Sequence, residues 1–169
     1  MAGRSWPAVA QVSFWSLRMT EWLILALLVL AVGFWFAREA YVVRGQAELA
    51  AVRTTLGALR TAFILEHLRQ VVQDPVKSVA PSQRNPFDLV QSRPANYRGA
   101  IRAGQLLDVP AGQWFFETDT EQIGYRPFHA EWLDSASSDN VIWYRVSQAP
   151  GPLQLTPLEP YRWQDQPLE

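Results

Sequence analysis

Residues 21–40 read EWLILALLVLAVGFWFAREA, the only long apolar run in the chain. A run of this kind is a cleaved export signal, a buried core helix or a membrane anchor. Between Trp22 and Ala37 there is no charged or strongly polar side chain. At about 1.5 Å per residue that stretch spans roughly 24 Å, against about 30 Å for a bilayer core. Leu17 on one side and Tyr41, Val42 and Val43 on the other lengthen it, with Arg18 and Arg38 placed to snorkel outward. Trp22 and Trp35 fall near its two ends, where an aromatic belt belongs. A cleavage site needs small residues at alternating positions, which AREA offers, but bulky aromatics crowd the approach to it. A core helix needs apolar partners on all its faces, and no other segment is apolar enough to supply them.

The expectation is therefore a membrane segment over residues 19–43. Trp22, Leu23, Ile24, Leu25, Leu27, Leu28, Val29, Leu30, Val32, Phe34, Trp35 and Phe36 form its apolar surface. Basic residues are nearly balanced across it. A tail as short as residues 1–18 is easily retained in the cytoplasm, so the run is read as an uncleaved signal anchor. The chain is then single-pass in a bacterial inner membrane, with its C-terminal part in the periplasm.

The helical pattern continues beyond Arg38. Leu49, Val52, Leu56, Leu59 and Phe63 recur at spacings of three and four, and Leu65, Leu68 and Val72 extend the stripe at a small angle. The opposite face is assigned Arg44, Glu48, Arg53, Arg60, Glu66 and Arg69. This predicts an amphipathic helix over residues 44–74, continuous with the apolar run and weakened at Gly45 and Gly57. Pro75, Pro81 and Pro86 end it. The stripe packs on the helix's own domain or, as a short coiled coil, on a partner helix.

Residues 75–169 change character. QWFFE (113–117), QIGYRPF (122–128) and VIWYRV (141–146) read as strands, with TDT and DSASSDN as polar connections. LQLTPL (153–158) reads as a short edge strand, and the tail EPYRWQDQPLE as irregular. The fold class expected is α+β: a long helix, half transmembrane and half amphipathic, on a small sheet of three or four antiparallel strands. About 85 residues make a marginal core alone, so the helix is needed to complete it.

Composition narrows the chemistry. The chain has 169 residues, no cysteine and a formal net charge of −1. Disulfides and cysteine chemistry are excluded, and there is no basic surplus for a nucleic acid. His67 and His129 are the only histidines, and neither has a metal-ligand or catalytic partner at a recognisable spacing. No phosphate loop or serine-nucleophile elbow occurs. No catalytic residue, cofactor or small-molecule substrate is expected. Two acidic loops offer calcium-type oxygens: Glu117, Asp119 and Glu121 in one, Asp134, Asp139 and Asn140 in the other. The aromatics around Trp114 and Trp143 form either a packed sheet or a ligand-binding face.

One family combines this layout. NPFDLV, PANYRGA and PAGQWFFETDTEQIGYRP contain Asn85, Pro86, Leu89, Pro94, Asn96, Tyr97, Gly99, Pro110, Gly112, Trp114, Phe116, Tyr125 and Arg126. In layout and in this motif the chain resembles type IV pilins and type II secretion pseudopilins. It is most similar to the pilin-like accessory proteins of pilus-assembly loci such as those for mannose-sensitive haemagglutinin pili. The chain departs from prepilins at the processing site. Arg18 stands where they carry glycine, and Glu21 is third from Met19 rather than fifth. The resemblance implies a protein that stays anchored and acts through contacts with other pilin-like or assembly-apparatus proteins. It makes Glu21 a candidate for pairing with a neighbouring subunit's amine, beside the plainer reading of a carboxylate in a helix's first turn at the water interface. It also raises the interest of the calcium candidates. The alternative is a signal-anchored periplasmic ligand-binding or sensor domain.

Overall fold

The computed structural model describes residues 14–72, 85–148 and 152–168. The tail ahead of Phe14 and the stop signal at Pro75 and Pro81 lie outside the described residues. Helix α1 spans Phe14–Val72 without interruption. The chain divides into two units, Met1–Val43 and Arg44–Glu169.

In the first unit, α1 is bare. The large apolar side chains from Trp22 to Phe36 are 53–76% exposed. The most apolar window of α1 has no buried residue, so it is not the core helix of this fold, and it is long and apolar enough to cross a membrane.

The second unit is a helix on a mostly antiparallel sheet. Five strands, β1 (Tyr97–Ile101), β2 (Gln113–Glu117), β3 (Gln122–Arg126), β5 (Ile142–Gln148) and β6 (Leu153–Pro157), lie in the order β1-β2-β3-β5-β6. The register places Trp114 opposite Tyr125, Phe116 opposite Ile123, and Ile123 opposite Tyr144. These side chains share one face and pack with Leu49, Val52, Leu56, Leu59 and Phe63 of α1 in a single core. Those five helix residues are at most 5% exposed. Burying each is worth about 1.5–3 kcal/mol, which is how the helix completes a core too small to stand alone.

The runs WFF and IWY are apolar on both faces because both faces are covered. Phe115 turns away from α1 and packs with Ile101, Val109 and Val141, with Leu106 of the 3-10 helix Ala103–Asp108 against them. Its ring lies over Gly124, directly opposite in the register, where a Cβ would come within 2.1 Å of it. Trp143 meets it edge-on at 5.3 Å.

Three expectations are corrected. First, the sheet has five strands, and β1 runs parallel to β2. Second, the tail is not irregular. β7 (Arg162–Trp163) and β8 (Gln166–Pro167) form a hairpin that pairs with β4 (Leu133–Asp134). Gln164 and Asp165 make its turn with positive φ. Tyr161, Trp163 and Leu168 are at most 2% exposed, so burial rather than strand propensity orders this segment. The Tyr161 hydroxyl accepts a hydrogen bond from the Trp143 amide at 2.9 Å. Burial pushes that phenol up to about 12. Arg53 of α1 reaches the Pro167 carbonyl at 3.2 Å. Third, Leu65, Leu68 and Val72 do not continue the core stripe; they are 52–82% exposed. The helix passes the end of the sheet after Phe63, and the small change of angle turns them outward.

The two glycines expected to weaken the helix play different parts. At Gly45 a Cβ would come within 1.7 Å of the Trp132 ring; at Gly57 it would meet nothing within 4 Å. Gly45→Ala is expected to destabilise the full chain in detergent by about 1–3 kcal/mol through overpacking. Gly57→Ala is expected to stabilise it by roughly 0.5–1 kcal/mol through helix propensity. Urea unfolding followed by tryptophan fluorescence measures both, and the same sign for the two would contradict the packing of Trp132 on Gly45.

Candidate interaction site

Two kinds of surface and one buried cluster compete for function. The buried cluster centres on Glu48, which the sequence reading placed on the solvent face. Its side chain is 6% exposed. Its carboxylate accepts from the Tyr125 hydroxyl at 2.9 Å, the Phe128 amide at 2.6 Å and the His129 amide at 3.3 Å. His129 Nδ1 lies 2.6 Å from Oε2. Burial first, then the neighbouring Glu48 charge, raises the Tyr125 phenol well above its ordinary value, so it stays a donor. Each oxygen of Glu48 is thus engaged by two donors, and three of the four come from the segment just after β3. Nothing in this arrangement leaves a reactive atom facing solvent. It is a clamp that fixes α1 to that segment.

The motif residues build a second structural joint. Asn85 caps the 3-10 turn Pro86–Asp88 by accepting from the Phe87 amide, and donates to the Tyr97 hydroxyl. Tyr97 stacks on Phe87 at 4.2 Å, and Trp114 lies 4.7 Å from Tyr125. Burial raises the Tyr97 phenol too. Asn96 donates to the Gly112 carbonyl at 2.7 Å, and Arg126 to the Val109 carbonyl at 2.7 Å. Gly112 has φ 78°, and Phe128 fills the space its side chain would take; Gly99 has φ 122°. Trp114, Phe116 and Tyr125 point into the core. Leu89 packs against that core, Pro94 is half-buried and Pro110 exposed. These residues hold β1, β2 and β3 and the loop before them together; they form no pocket.

The calcium candidates are not gathered into one site. Glu117 is buried and accepts from the Thr120 hydroxyl, and Asp119 accepts from the Ala103 amide at 3.0 Å. Asp139 caps its loop, accepting from the Ser137 hydroxyl, the Val141 amide and the Trp143 indole at 2.7–3.2 Å. Glu121 and Asn140 sit exposed in turns with positive φ, and Asp134 is exposed on β4. Among the described residues no group of three His, Asp or Glu side chains is placed to hold a metal. His67 is half-buried on α1, and Glu21 is exposed on the same helix.

Two shallow grooves lie on the second unit. One, of about 320 Å³, runs between Thr54, Thr55, Ala58 and Leu59 of α1 and residues 92–95; the other, of about 280 Å³, is bordered by Arg98, Gln105 and Asp108. Neither is lined by an aromatic side chain. What remains is exposed apolar surface on α1: the bare run from Trp22 to Phe36, and Ile64, Leu65, Leu68, Val71 and Val72 near its C-terminal end. No protein-family model, curated protein or solved structure matches the chain.

Glu48→Gln is expected to cost about 2–4 kcal/mol of stability, because an amide brings donors against N–H groups that a buried carboxylate satisfied. Tyr125→Phe removes one of four bonds and is expected to cost about 1 kcal/mol. Chemical unfolding of the detergent-solubilised chain measures both; an unchanged midpoint for Glu48→Gln would show that the carboxylate is not a clamp.

Proposed function

We propose that the chain is a membrane-anchored, pilin-like accessory component of a type IV pilus or type II secretion-like assembly, acting through protein–protein contacts. Residues 19–43 cross the bacterial inner membrane once, and the second unit lies in the periplasm. The observation that carries this reading is the division of labour along α1. One stretch exposes a membrane-length apolar surface, and a later stretch is the missing layer of a small sheet.

The aromatics support it as well. Trp114, Phe115, Phe116, Tyr125 and Tyr144 are at most 5% exposed and fill the core on the two sheet faces. A sensor or ligand-binding domain would hold some of them around a cavity. The buried carboxylate is consumed by structural bonds, which leaves it no role in proton transfer.

Deleting the gene in its native host is expected to lower surface pili or type II-like export, with full recovery on supplying the complete chain. The pair Leu28→Arg and Val32→Arg, each costing about 2.5–3.5 kcal/mol at a membrane centre, is expected to abolish that recovery. Normal pili and export in the deletion strain, with an altered response to a small molecule, would overturn the proposal in favour of a sensor.

A further inference from the structure

Two sides of α1 beyond Arg44 are already occupied. One packs the core. Another carries Arg53, Arg60 and His67 at intervals of seven. The third side has no charge. Ala51, Thr54, Ala58, Thr61, Leu65 and Leu68 follow one another at alternating spacings of three and four, and every one is exposed. Gly57, Ile64 and Val71 flank that row, also uncharged and exposed. The Thr54 and Thr61 hydroxyls turn back onto the Ala50 and Gly57 carbonyls, so the row presents methyl groups rather than free donors. The groove of about 320 Å³ beside Thr54 and Ala58 leaves its flank open.

Alternation of three and four is the 3.5-residue period of a seam between parallel helices. Its first positions are small, which lets two backbones approach closely, and its last are large, which supplies apolar area. Ile64, Leu65, Leu68, Val71 and Val72 are 52–82% exposed side by side, a contiguous patch of the kind that marks an interface.

The occupant follows from charge and symmetry. A partner of different character is normally selected by countercharges, and this row carries none. A chargeless row meets its own copy with no like-charge contact, each position facing itself across a two-fold axis. Two copies anchored in one membrane with the same topology present their helices in parallel and at high effective concentration. We infer that the uncharged face of α1 from Ala51 to Leu68 pairs with the same face of a second copy. The inference rests on the assembly reading and names its first partner.

The chain contains no cysteine, so single cysteines report cleanly. The full-length chain carries one cysteine at a time, at 51, 54, 58, 61, 65 or 68 and, as controls, at 53, 60 or 67, and is oxidised in membranes of the native host. All nine side chains lie outside the core row, so the fold is retained. A disulfide-linked dimer several-fold stronger at the six row positions than at the three controls is the expected result. Equal yields at all nine, or none at the row, would overturn self-pairing. A photo-crosslinker at Leu65 then separates the two readings. Capture of a protein of different mass, with no dimer, overturns self-pairing and leaves the assembly reading standing; no adduct and no dimer sinks both.

Discussion

The sheet of this protein cannot close its own core. Five short strands present Trp114, Phe116, Ile123, Tyr125, Ile142 and Tyr144 on one face, and only the row from Leu49 to Phe63 covers them. Every other feature of the second unit serves that contact. Glu48 pins the helix to the segment after β3, Gly45 admits Trp132, and Arg53 holds the C-terminal hairpin. A buried carboxylate is costly unless all its lone pairs are used, and here four donors use them. The clamp thus contributes specificity of register more than raw stability, since a helix stripe of period 3.5 would otherwise tolerate a shift by one heptad.

Much of this was legible in the sequence. The stripe from Leu49 to Phe63 and the strands at 113–117, 122–126 and 153–157 lie where their periodicity and β-branched or aromatic content put them. What was not legible has common physical causes. Periodicity assigns a charged residue to the outside by default, and only tertiary donors bring Glu48 in. A signal was present: Gly45, Glu48 and Val52 are spaced by three and four, so Glu48 shares a side with two residues that proved buried. The β1 segment, YRGAI, has a positive-φ glycine and weak alternation, and its parallel pairing is a long-range fact that no local pattern encodes. The tail is rich in proline and polar residues, and it is ordered by three buried side chains rather than by propensity.

The motif that suggested a family turned out to do structural work. Asn85, Asn96, Gly112 and Arg126 spend their polar groups or their backbone freedom on the joint between the loop at residue 85 and the first three strands. Residues of this kind define a fold, not a reaction. Function is therefore left to the surfaces of α1, where large apolar side chains stay exposed in two separate stretches. A membrane accounts for the first, and a partner helix for the second.

The most direct measurement is the intact mass of the protein purified from membranes of its native host. The mass expected is that of the full chain, allowing for loss of Met1, with the run from Trp22 to Phe36 retained. A mass beginning after that run would contradict the anchored protein and leave a secreted domain with an unexplained exposed helix.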